Sequence, residues 1–143
     1  MHIADFQHAV MLWMDYCFCR APDGAKMGVR NFRFYEEATE LVQAAGMTRE
    51  EAHRQVDYTF DRPAGRPAQE LGGVMVTLAA WAGTHGLQMS EHGPAELLRI
   101  DTPEMIAKIR AKQASKPGEG GPPRPTSDPV PGGVALPVKE QQR

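Results

Sequence analysis

At 143 residues with 41% apolar side chains, the chain holds enough material for one domain core and little more. Sixteen Lys and Arg against eighteen Asp and Glu leave a formal charge of -2, which supplies no basic surplus for binding a nucleic-acid polymer. No apolar run is long enough for a membrane span and the opening lacks the pattern of an export signal, so the expectation is a soluble, cytoplasmic protein.

From Phe6, apolar residues at Val10, Trp13, Met14, Cys17 and Phe18 fall on one stripe at helical spacing, with Asp5 placed to cap the start. Cys17 and Cys19 point to nearly opposite sides of that helix and are poorly placed to bridge each other, which fits a reducing compartment. Ala21-Pro22-Asp23-Gly24 then breaks the pattern.

The spacing predicts a second helix over Met27 to Ala45, with Phe34, Ala38, Leu41, Val42 and Ala45 facing inward and Gly46 as the residue that stops it. Thr48 and Glu51 form a capping box for a third helix reaching Tyr58 or Phe60, and the Pro- and Gly-rich stretch 61–67 ends it. A fourth helix starts at Pro67, turns Leu71, Val74, Met75, Leu78 and Trp81 or Ala82 inward, and stops at Gly86. Gly72 and Gly73 inside it each cost about 1 kcal/mol relative to alanine. Close approach of another helix is the expected compensation, with room for a ligand as the alternative.

Ala95 to about Ser115 reads as a last helical region, divided by Pro103, whose second piece carries Lys108, Arg110 and Lys112. After it Gly and Pro dominate. The expected architecture is therefore an all-α bundle of four to five helices over residues 1–115, followed by a disordered tail over 116–143. Within the tail, Pro122-Pro123-Arg124-Pro125 suits an extended polyproline conformation that docks on an aromatic groove.

The chemistry-bearing residues are acidic. Glu37 and Glu40, three apart in Glu36-Glu37-Ala38-Thr39-Glu40, share a helix face and can direct two carboxylates at one point. A hard cation such as Mg²⁺ relieves their repulsion and offers a handle for a phosphate chain; a solvated charged face is the ordinary alternative. Glu70-Leu71-Gly72-Gly73 supplies a second acidic position, just ahead of an apolar run. His53, His85 and His92 lack a second ligand at metal spacing, and neither a P-loop nor GxGxxG occurs.

Together these segments resemble the EExxE and ExxD signature of the MazG-like, all-α nucleoside triphosphate pyrophosphohydrolases. Glu36, Glu37 and Glu40 match the first part, Glu70 opens the second, and Val74-Met75-Val76-Thr77-Leu78 with Gly86-Leu87-Gln88-Met89 is similar to the family's following helix and its Gly-Ile-Asp-Leu segment. The similarity covers about residues 1–90 and extends loosely into the basic helix after Pro103. One position departs: Gly73 stands where the family has the aspartate of ExxD.

The resemblance implies Mg²⁺, with Mn²⁺ as substitute, held by Glu37, Glu40 and Glu70, and a metal-activated water that splits a nucleoside triphosphate into monophosphate and pyrophosphate. At Gly73 a further water, or an oxygen from Thr77 or Asp57, takes the missing ligand's place. Glu36 either orients the catalytic water or pairs with a neighbouring base. Arg30, Arg33, Lys108, Arg110 and Lys112 are the candidate phosphate contacts, and Trp13, Tyr16 and Phe34 are the aromatic surfaces available to a base. The family's usual assembly implies a homo-oligomer. The alternative is a helical binding or scaffold protein that lost catalysis with the aspartate at Gly73.

Overall fold

A computed structural model describes residues 2–18 and 27–115. Their regular structure is six helices: α1 (Ile3–Phe18), α2 (Met27–Ala44), α3 (Arg49–Phe60), α4 (Pro67–Thr84), α5 (Met89–Ile100) and α6 (Pro103–Ala114). The all-helical expectation holds, with one helix more than the upper count. The predicted tail and its polyproline segment lie outside the described residues, as does Cys19. No helix among those described is long and apolar enough to cross a membrane.

Local chemistry sets most of the boundaries. At Thr48 the side chain accepts from the Glu51 backbone while the Glu51 carboxylate accepts from the Thr48 N–H at 2.8 Å, so both members of the capping box are in place. Pro67 occupies the first turn of α4, where its missing N–H is harmless. Gly46 (φ 95°) and Gly86 (φ 67°) take the left-handed conformation that ends α2 and α4. In each case the next residue reaches back to the helix, Met47 to the Val42 carbonyl and Leu87 to that of Ala82, which completes a Schellman stop.

Helix α5 begins at Met89, ahead of the expected Ala95, and carries Pro94 within it. Pro103 does separate α5 from α6, and Thr102 caps α6 by accepting from the Met105 N–H.

The core forms where α1, α5 and α6 pack together. Cys17, Phe18 and Ile106 are buried there, with Trp13, Met14 and Ile109 against them, and the Trp13 and Phe18 rings meet edge to face. Burial pushes the Cys17 thiol above its ordinary pKa. Val29 of α2 and Ala82 of α4 are the other buried apolar residues among those described. Five buried apolar residues make a small core among the described residues. Several side chains expected inside are exposed, among them Phe34, Leu71 and Met75.

Candidate functional site

The acidic segment of α2 lies along a wide groove between α2 and α3. Its volume is about 720 Å³, and Phe32, Tyr35, Glu36, Thr39 and Glu40 on α2 face Ala52, His53, Val56 and Asp57 on α3 across it. By helix geometry Glu36 and Glu40 fall at the edge of the groove-facing side of α2, and Glu37 lies one step further round. The three glutamates therefore mark one rim of the groove.

Cations from two helices, α2 and α6, stand on that rim. Arg33, one turn earlier on α2, donates to Glu36 at 2.5 Å and to Glu37 at 3.2 Å. Lys112 of α6 stands 3.5 Å from a Glu36 carboxylate oxygen. Arg99 of α5 is held by two hydrogen bonds to Glu96 on its own helix, which raise its pKa. The carboxylates of Glu40 and Asp57 have no hydrogen-bond or ion-pair partner among the described residues.

The remaining expected site residues are distributed elsewhere. Glu70 sits in the first turn of α4, its carboxyl folded over Gly65 of the preceding loop. Among the described residues no three His, Cys, Asp or Glu side chains gather closely enough to hold a metal ion, so Glu37, Glu40 and Glu70 do not converge within one chain. Arg110 spends its guanidinium on α1, donating from Nε to the Cys17 carbonyl at 2.7 Å and from a terminal nitrogen to that of Tyr16 at 2.8 Å. Lys108 pairs with Glu104 on its own helix. Arg30 lies over the Phe18 ring at 5.2 Å, and burial lowers its pKa.

Gly72 and Gly73 face open space: a Cβ at either would meet nothing within 4 Å, so no close helix approach within the chain accounts for them. The Thr77 hydroxyl donates to the Gly73 carbonyl at 2.9 Å, which ties it to its own helix. Of the two oxygens considered as replacements for the missing aspartate, Asp57 is the one in the groove. The groove's aromatic lining comes from Phe32 and Tyr35, neither singled out by the sequence; Phe34 points outward and Trp13 belongs to the core. Helix α2 carries aromatic residues on several sides, and periodicity alone did not choose between them.

Compared with known proteins, the chain matches no family model, no curated protein and no solved structure.

Proposed function

We propose that the chain is a subunit of a homo-oligomeric enzyme that hydrolyses a nucleoside triphosphate to monophosphate and pyrophosphate with Mg²⁺ or Mn²⁺. The observation that carries this reading is the meeting of Lys112 with Glu36. A residue expected to contact phosphate and a residue of the EExxE segment, far apart in sequence, come together at one rim with Arg33, Glu37 and Glu40.

Alternating carboxylates and cations suit a metal–triphosphate complex. The acids attract the metal and the bases attract the phosphate oxygens, and each sign holds the other in place until the ligand arrives. Arg33 offers a planar fork for two oxygens, and Lys112 a point charge on a flexible stem. Glu37 and Glu40 fit the role of metal ligands; the third, Glu70, is not beside them in the single chain. When bound, the metal neutralises charge developing on the phosphates.

The second reading is a binding protein of the same fold. Gly73 brings no oxygen to α4, and a single chain assembles no three-ligand group, both of which favour it. Thermal unfolding with and without Mg²⁺ separates the two. A working metal site raises the melting temperature by mass action. A Glu37→Gln/Glu40→Gln variant removes that rise if the hydrolase reading is right, and identical melting of the native chain in Mg²⁺ and in chelator supports the binding protein.

A further inference from the structure

Two uncovered surfaces of this chain match each other. From Leu71 to Thr84, α4 carries no charged side chain, and a helix apolar on all sides is ordinarily a buried one. Its inward stripe is Leu71, Val74, Met75, Leu78 and Ala82. The C-terminal part of the stripe is covered by the chain itself, since Ala82 is buried and Leu78 half-buried. The N-terminal part continues the same stripe into solvent, with Leu71 61%, Met75 42% and Val74 36% exposed.

The α2–α3 groove is the complementary surface. Val42, Met47, Ala52 and Val56 give it an apolar floor, and Glu36, Glu40 and Asp57 make one end of it acidic. Helices α2 and α4 are each 18 residues long, about 27 Å, so one can lie along the other. Arg66 occupies the N-cap position of α4, four residues before Glu70, while the far end of the groove, with Arg49, would meet the uncharged part of the helix.

We propose that α4 of a second copy of this chain lies in the α2–α3 groove, parallel to α2, with Leu71, Val74 and Met75 on the apolar floor. Arg66 of the second copy then meets the acidic end, and Glu70 is delivered to the rim that carries Glu36, Glu37 and Glu40. A two-fold axis repeats the exchange, so one operation covers both surfaces on both chains. A second copy fits better than an unrelated partner because the apolar floor and the uncovered apolar stripe occur on the same chain, and Arg66 brings a cation to the acidic end. The interface stands on apolar packing and on the Arg66 charge; the placing of Glu70 among the rim carboxylates needs a bound cation and rests on the hydrolase reading. On that reading the acidic site is split between copies.

The test uses the full chain. Sedimentation should give at least twice 15.7 kDa, and Met75→Glu and Ala52→Glu, placed on the two opposing surfaces, should each shift the mass to that of the single chain while circular dichroism stays helical. A tagged Ala52→Cys chain is then mixed with an untagged Met75→Cys chain and oxidised, with the unsubstituted chain as the control for Cys17 and Cys19. Disulfide-linked heterodimers above control and above either homodimer support the proposal. A native chain of single-chain mass, linkage only between identical positions, or linkage no greater than control overturns it. A chain that links as expected but releases no pyrophosphate keeps the interface and removes the hydrolase; a single-chain hydrolase does the reverse.

Discussion

The Lys112 ammonium stands 3.5 Å from a carboxylate oxygen of Glu36, which joins α6 to the middle of α2. The pair is too exposed to matter much for folding, and its loss should cost less than about 1 kcal/mol. Its value lies in holding a cation beside the acidic rim. Lys112→Ala should therefore raise KM for the triphosphate about tenfold, the worth of one charge-assisted contact, while the melting temperature moves little. Steady-state pyrophosphate release, run beside a melt of the same preparation, checks both halves.

Arg110 has a different role from Lys112, two residues further along α6 and on a different side of it. Its two hydrogen bonds close the C-terminal carbonyls of α1, which otherwise have no partner in their own helix. Arg110→Ala should destabilise the chain by about 2 kcal/mol. Urea unfolding measures it, and a variant as stable as the native chain would contradict the capping role.

The open space at Gly73 allows a direct reconstruction. A side chain there meets no atom within 4 Å, and the position is not in the left-handed region, so Gly73→Asp should fold. It should also tighten Mg²⁺ binding, because a carboxylate one turn from Glu70 restores the ExxD pattern. Calorimetric titration of Mg²⁺ into both proteins is the measurement, and equal affinities would detach Gly73 from the metal site.

At the start of α3, Thr48→Ala should cost about 1 kcal/mol by leaving helix N–H groups unpaired. The Thr48 backbone hydrogen bond, the largest cause, holds the Glu51 carboxyl below its ordinary pKa. A depressed folded value means that the Glu51 contribution is fully present above the unfolded carboxylate pKa and disappears as pH falls through the folded one. The gap in melting temperature between the native chain and Glu51→Gln should thus narrow toward acid; a gap that widens there would contradict the assignment.

Helix ends were the legible part of the sequence because their chemistry is local. Thr48 with Glu51, Pro67, Gly46 and Gly86 each act through backbone groups within a few residues. The start of α5 was not legible: the expected start is Ala95, yet Gly93 and Pro94 lie inside the helix. A Cβ at position 93 would stand 3.1 Å from the Phe6 ring, so the reason for glycine there lies on α1, far away in sequence. The same limit applies at the site. Helical spacing placed Glu36, Glu37 and Glu40 together, but whether Lys112 or Arg110 reaches them depends on how α6 packs against α1. The exposure of Leu71 and Met75 was equally hidden, because apolar periodicity marks a face to be covered without naming the chain that covers it.

Pyrophosphate release from a panel of nucleoside triphosphates, measured with Mg²⁺, with Mn²⁺ and in chelator, is the decisive assay for the hydrolase. The native chain should release pyrophosphate and monophosphate in equal amounts only with metal, and Glu40→Gln should reduce the rate at least a hundredfold, on the order of 2.7 kcal/mol in the barrier. Equal rates from the native chain and Glu40→Gln, or no release from any nucleotide by a folded oligomer, would contradict it.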